Sequence, residues 1–431
     1  MADMRAMKTA AEQALSAAYE MARGALPGGK AVAALREDAF KRFDASGLPH
    51  RRVEEWKYTD LRALMREALP LAPPNATAKA HAKDAGRLFA GVDCRRLVFV
   101  DGTFARELSD LTAEPGLTIG SLAGALAQGE AQIGKTFETD DAAVALNTAL
   151  MGDGAVIRIA AGTTLKRPIQ LVFASSGGKP SAAFIRSLVV IETGAKATLI
   201  EAHEGGNNQI NAAVELIVGD KAQVDYIKTT QTHGLHVGSL LATIGADATF
   251  NSFAFNADAA LARNQMFVRF AGEGTKAGIR GVSLARGKDH IDTTLLIEHA
   301  KGHCESREQF RSVLDNEAQG VFQGKIVVKP DAQKTDAKMM TRALLLSEDA
   351  EADNKPELEI FADDVVCGHG ATISAPSEEL KFYLMARGIP EKEAEALLVQ
   401  AFVGEAIEEI AHDGIREALM VAALKWLGAR S

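Results

Sequence analysis

Four short segments, Gly194-Ala195-Lys196-Ala197, Gly219-Asp220-Lys221-Ala222, Gly245-Ala246-Asp247-Ala248 and Gly274-Thr275-Lys276-Ala277, recur at intervals of 25, 26 and 29 residues. Each follows a run of strand-forming residues and leads into another. A period between 20 and 50 residues marks solenoids and related arrays. A unit this short cannot bury its own apolar face, but stacked copies bury each other's. The spacing predicts a β-solenoid, most simply a β-helix of a few strands per coil. Gly at each recurring corner would supply the positive φ of a sharp turn. A β-sandwich could use similar turns, yet nothing in a sandwich calls for near-constant spacing. Of the 431 residues 47% are apolar, enough for a long buried core.

The strand texture begins at Leu97-Val98-Phe99-Val100 and continues through Val156-Ile157-Arg158-Ile159, Leu171-Val172-Phe173, Leu188-Val189-Val190-Ile191 and Leu216-Ile217-Val218. Upstream, Leu15, Ala18, Tyr19 and Ala22 have helical spacing within residues 3–23, and a second helix is expected over Val32 to Phe43. Pro70, Pro73 and Pro74 place a linker over residues 70–86. Residues 110–150 are Ala- and Gly-rich and are read as including helix. Downstream of Pro376, Ser377 caps a helix, Gly388 ends it and Pro390 opens another. Ala394, Leu397, Leu398, Ala401 and Phe402 form one apolar stripe there, and Ile415, Leu419, Ala422 and Trp426 a second. The expected organisation is a helical N-terminal region and linker over 1–90, a β-helix core over 91–375 and a helical C-terminal region over 376–431.

A net charge of −9 argues against nucleic acid and anionic membrane as main partners, since both reward basic patches. Cys94, Cys304 and Cys367 are sparse and odd in number, which fits a reducing compartment rather than a disulfide framework. Residues 1–20 are interrupted by charge, and no run of eighteen apolar residues occurs, so a cytoplasmic location is expected. Gly24-Ala25-Leu26-Pro27-Gly28-Gly29-Lys30 matches the first seven positions of a phosphate loop. Ala31 then stands where the magnesium-binding hydroxyl belongs, so the segment is read as a helix-ending turn and no nucleotide is expected.

Soft metal chemistry concentrates in Val365-Val366-Cys367-Gly368-His369. Two β-branched residues favour extended backbone. If the extension continues, Cys367 and His369 point to one face, roughly 6 to 7 Å apart at Cα. A thiolate and an imidazole suit iron, zinc or copper(I), but two ligands do not complete a site. A buried structural Cys beside a surface His is the competing reading. His299, His303 and Cys304, and the pair His233 and His236, are not read as metal sites. Gly302 and the strand-like run before His299 argue against a shared helical face.

Several blocks point to a known family. Asp336-Ala337-Lys338, Leu344-Leu345-Leu346-Ser347, Lys355-Pro356-Glu357-Leu358-Glu359-Ile360, Ala362-Asp363-Asp364-Val365, Cys367-Gly368-His369-Gly370-Ala371-Thr372 and Phe382-Tyr383-Leu384 with Arg387-Gly388-Ile389 resemble the SufB/SufD family in order and spacing. Val53-Glu54-Glu55-Trp56-Lys57-Tyr58-Thr59-Asp60-Leu61 resembles its SufD branch. The resemblance implies a right-handed parallel β-helix between helical regions and a non-enzymatic scaffold role in iron–sulfur cluster assembly. It implies a SufB-like partner along the β-helix and a SufC-like ATPase on the C-terminal helices, through Phe382, Tyr383, Arg387, Leu397, Leu398 and Phe402. Cys367 and His369 would form a half-site for transient iron or a cluster, completed by the SufB-like subunit. ATP would belong to the SufC-like subunit, no flavin is assigned to this chain, and a homodimer of the isolated chain stays open. The alternative from another class is a β-helical carbohydrate-active enzyme, with Asp363 and Asp364, or Asp336 with Glu359, as paired carboxylates.

Overall fold

The computed structural model describes residues 7–73, 85–129 and 133–428. Residues 74–84 of the expected linker lie outside the described residues, as do residues 1–6. Eight α-helices are described: α1 (Ala10–Ala22), α2 (Lys30–Ser46), α3 (Leu61–Leu64), α4 (Leu122–Gln128), α5 (Ala142–Leu150), α6 (Glu378–Met385), α7 (Glu391–Ile407) and α8 (Asp413–Gly428). The strands open with β1 (Arg95–Val100), β2 (Thr103–Phe104), β3 (Leu117–Ser121), β4 (Ala155–Ile159), β5 (Ile169–Ala174) and β6 (Ala182–Ile191). They continue with β7 (Lys196–Glu204), β8 (Gln209–Val218), β9 (Gln223–Gln231), β10 (Leu235–Ile244), β11 (Thr249–Ala257), β12 (Leu261–Phe270) and β13 (Lys276–Ala285). The last six are β14 (His290–His299), β15 (Glu305–Leu314), β16 (Gln319–Val328), β17 (Asp336–Leu345), β18 (Glu351–Ile360) and β19 (Val366–Ser374).

From β4 onward consecutive strands alternate between two sheets, and every strand pairs in parallel with the strand two places away in sequence. This is a parallel β-solenoid with two long strands per coil. Its interior is filled by alternate residues of both sheets, such as Leu199, Leu216, Val224, Ile244, Phe250, Phe270, Ile297 and Phe322.

The repeat is structural, but its register and the reason for its glycines differ from the sequence reading. Pairing aligns Gly194, Lys221, Asp247, Gly274, His303 and Lys334 at one corner, and all six have positive φ. Glycine is therefore one of several residues at the left-handed position. Gly219 and Gly245 sit elsewhere in the turn, with no positive φ. A Cβ on Gly219 would lie 2.7 Å from the backbone nitrogen of Thr193, and one on Gly245 2.7 Å from that of Asp220. Those glycines are required by the close stacking of successive corners. The next column inward, Ala195, Ala222, Ala248, Thr275, Cys304 and Thr335, is fully buried. Cys304 and its neighbour His303 are thus corner residues.

Helices cover both outer faces. α7 and α8 lay Val399, Val403, Ile407, Ile415, Leu419 and Trp426 on Ile227, Phe253, Phe255, Val282 and Val313 of one sheet. The buried stripe of α7 runs through Ala394, Val399, Val403, Ala406 and Ile407, so the predicted stripe is rotated: Leu397 and Ala401 face outward, and Leu398 is half-buried. That of α8 matches the prediction except that Ala423 replaces Ala422 as the buried alanine.

On the other sheet, α1, α2 and α5 pack over Phe184 and Val237. All nine residues of α5 are buried, so the helical layer reaches into the region expected to be β-helix. Two buried ion pairs fasten this layer. Arg186 bonds Glu215 at 2.7 Å, and Glu215 also accepts from the amide of Gly134 and the hydroxyl of Thr136. Asp292 pairs with Arg263, whose guanidinium stacks 3.8 Å from the Trp56 ring centroid and donates to the carbonyl of Glu55. The Glu-Glu-Trp-Lys-Tyr segment is thereby anchored to the solenoid.

Candidate metal half-site at the open end of the solenoid

The two ends of the solenoid are unlike. At the first, β2 and β3 run antiparallel to β1 and β4 and terminate the two sheets. At the other, β18 and β19 each pair on one side only and end the nine- and ten-stranded sheets. Every residue of β18 is half-buried or exposed, and Pro356, which has no N–H to donate, stands in its middle. Unpaired strand edges of this length are a template for another chain.

Cys367 and His369 lie on β19, opposite Ala337 and Met339 of β17. Ala337 and Met339 belong to the interior, so both candidate ligands face inward on the final coil, as the two-residue spacing requires. Cys367 is half-buried against the interior and His369 is exposed. Burial pushes the Cys367 thiol up; the amide of Ala337 opposes this, and the carboxylates of Asp336 and Glu308 add to it. A bound cation would favour the thiolate. Among the described residues no three His, Cys, Asp or Glu side chains converge on one point as a metal site would need.

Sequence reasoning missed Glu308. It stands on β15 in the same inward column as Met339 and His369. Its side chain is fully buried, and among the described residues no hydrogen bond of good geometry reaches either oxygen. Burial pushes its carboxyl up to about 7, against the pull of Ser306 and of the Arg307 and Arg280 guanidiniums. The signal was the phase of β15, where Ser306 and Glu308 fall on inward positions; that phase is visible only once the register is known.

The sign of the effect follows from proton counting. The native state retains a proton that the unfolded chain, with an ordinary carboxyl near 4.5, loses as pH rises toward 7. Stability therefore falls across that window, by about 3 kcal/mol at 1.36 kcal/mol per pH unit. Glu308→Gln is expected to flatten this slope and to be the more stable protein at pH 8 by about 2–3 kcal/mol, read by urea unfolding at pH 5 and pH 8.

The other chemistry-bearing residues are dispersed. His299 ends β14, meets Phe270 edge-on at 4.6 Å and contacts the Ser306 hydroxyl at 3.0 Å; burial lowers its pKa to about 3, so it is neutral. His233 is exposed and His236 fully buried, so that pair does not converge. Gly24 to Gly29 form the turn after α1. Asp363 and Asp364 lie in the bend between β18 and β19, and Asp364 pairs with Lys334. Asp336 pairs with Arg307 at 2.7 Å and Glu359 with Lys325 at 2.8 Å, in different sheets. Asp336, Glu359 and Asp364 are thus each paired with a cation, and Asp336 and Glu359 do not share a sheet.

α6 has no buried residue. Phe382 is 72% exposed, and Tyr383 is exposed with Arg387 stacked 3.6 Å over its ring. Leu397 is exposed beside them in sequence on α7. Phe402 differs: it packs on the solenoid, its carbonyl accepts from Arg311 at 2.7 Å, and that guanidinium lies over its ring.

Comparison with known proteins agrees with this architecture. The model of the SufBD core domain of the SUF iron–sulfur cluster assembly system matches residues 173–402, and that of the SufBD N-terminal region matches residues 10–171. An iron–sulfur cluster assembly SufBD family protein of Synechocystis is 31% identical over 87% of this chain and 86% of its own length. The iron–sulfur cluster assembly protein SufD of Escherichia coli is 30% identical over 87% and 88%. SufD of Bacillus subtilis is 27% identical over 64% of each chain. With both family models together spanning almost all of the described solenoid and its helical layers, the chain belongs to the SufBD family of iron–sulfur cluster assembly proteins and is SufD-like.

Proposed function

We propose that this protein is a non-catalytic scaffold subunit of a SufBCD-type assembly complex, working in the cytoplasm. Its last coil pairs with a SufB-like subunit, and Cys367 and His369 supply two ligands for iron or a nascent cluster arriving at that junction. The observation that carries the reading is their position: inward-facing, partly accessible, and on the terminal coil whose long strands, β18 and β19, have an outer edge with no strand partner among the described residues. Two ligands fall short of the four that iron–sulfur clusters usually take from protein, so a second subunit must supply the rest. The isolated chain would use the same edges to pair with itself.

The exposed Phe382, Tyr383, Arg387 and Leu397 are the docking face for a SufC-like ATPase, flanked by the half-buried Leu398. Phe402 holds α7 on the solenoid and acts by positioning that face. ATP hydrolysis belongs to the SufC-like subunit, and this chain carries no nucleotide or flavin of its own.

The test is co-expression with SufB-like and SufC-like partners from the same organism. A Cys367→Ala/His369→Ala double variant is expected to assemble the three-subunit complex normally but to lose at least ten-fold of the cluster absorbance recovered with it. Full cluster recovery by that variant would defeat the site assignment. A Phe382→Asp/Tyr383→Asp variant is expected to release the SufC-like subunit alone, and its retention would move the docking face elsewhere.

A further inference from the structure

Far from the terminal coil, the solenoid interior turns polar. Glu201 and His203 of β7, Tyr226, Lys228 and Thr230 of β9, His236 of β10, and Asn256 and Asn264 of β11 and β12 all occupy inward positions and are buried. Glu201 accepts from the hydroxyl of Tyr226, meets the Nε2 of His203 at 2.5 Å and lies 3.8 Å from the Lys228 ammonium. Burial alone would raise the Glu201 carboxyl, but Lys228, His203 and Tyr226 together hold it at about 2. His203 is sandwiched, with Phe173 stacked at 4.7 Å on one side and Thr230 in the next coil.

That network leaves atoms without partners. Both ring nitrogens of His236, the hydroxyl of Thr230 and the side-chain oxygen of Asn264 are buried and find no hydrogen-bond partner among the described residues. They lie in adjoining coils. Gly238, two residues after His236, aligns with Asn264, and Thr230 aligns with Asn256, which bonds Asn264 at 2.7 Å. Gly238 makes room for the Lys228 ammonium there: a Cβ would fall 2.0 Å from the Lys228 nitrogen and 2.8 Å from His236 Nε2. Of these residues His236 lines a pocket of about 20 Å³, which reaches from His203 and His236 to the corner residues Ser175, Gly205, Asn208 and Thr232. A polar cavity needs about 10–15 Å³ to hold one water. Buried donors and acceptors without protein partners are normally met by such water.

We propose that this chamber binds water inside the solenoid, and that through it the Glu201–His203–Tyr226–Lys228–His236 cluster exchanges protons with solvent at the Gly205–Thr232 corner. The Lys228 ammonium disfavours a metal cation, the Glu201 carboxylate disfavours an anion, and the volume excludes larger guests.

The experiment is neutron and X-ray diffraction on crystals of the full chain soaked in D₂O. Water is expected within hydrogen-bond distance of a His236 ring nitrogen. Deuterium is expected on Lys228 and Tyr226 while the paired backbone amides of β7 and β9 retain protium. A dry chamber overturns the proposal. So does protium on Lys228 and Tyr226 with water present, because the water would then not connect to solvent. His236→Phe, which removes both unpartnered ring nitrogens from the lining and adds apolar bulk, is expected to lower the chamber's water occupancy at least two-fold and slow deuteration of Lys228. An unchanged occupancy in that variant also overturns it.

Discussion

Asp292→Ala is expected to cost about 3–5 kcal/mol of stability, among the largest effects of any single side-chain truncation in this chain. The Asp292 carboxylate is fully buried and faces Arg263, itself 1% exposed. Truncation strands the guanidinium in a site where Gln265, the Glu55 carbonyl and the Trp56 ring remain, but no counter-charge. Thr59 and Thr294 lose an acceptor at the same time. The loss should be visible as a lower urea midpoint with an unchanged m-value. It should also speed tryptic cleavage after Arg51 and Arg52, just before the anchored segment. Replacing both partners by apolar residues, Arg263→Met with Asp292→Leu, should recover most of the loss, because the cost lies in the unpaired charge. A single variant within 1 kcal/mol of the parent would show that the anchor is not electrostatic.

Gly272→Val should be the second large effect, at about 2–4 kcal/mol. A Cβ at this position would lie 2.0 Å from the backbone nitrogen of Ala246 in the preceding coil, and backbone cannot swing aside as a side chain can. The informative control is Gly194→Asn. Gly194 has φ near +70° but nothing within 4 Å of its missing Cβ, and its column already tolerates Lys221, Asp247 and His303. That change is expected to cost under about 1 kcal/mol, since Asn adopts the left-handed conformation readily. Equal losses at the two positions, by equilibrium unfolding, would refute the distinction between close stacking and left-handed turns.

That pair of glycines also marks the limit of what was legible in the chain. The period was visible because every coil must return to the same corner, so spacing alone indicated a solenoid. Register was not visible, since Lys221 and Asp247 carry out the turn that Gly194 and Gly274 carry out elsewhere. Cys367 and His369 were legible as residues sharing a face because strand alternation is local. Their place on an unpaired coil was not, as it depends on which strands lack a neighbour. Glu308 and Asn264 escaped notice, and His236 was weighed only as half of a metal pair with His233, because a polar residue in a strand reads as outward until the partner strands fix the phase. The α7 stripe was misjudged for a related reason: Leu397, Phe402 and Val403 are similar in apolar character, and only packing on Phe253 and Val282 selects the buried side.

The unlike ends of the solenoid have a consequence for stoichiometry. The outermost strands at one terminus, β2 and β3, are two and five residues long, against ten and nine for β18 and β19, so the second terminus offers the longer edge to a strand-edge joint. A head-to-tail contact would generate filaments, whereas one adhesive end per chain halts growth at two solenoids. If the proposed joint forms at β18 and β19, the short antiparallel strands at the start of the fold would disfavour a matching joint at the other end and so growth into a fibre.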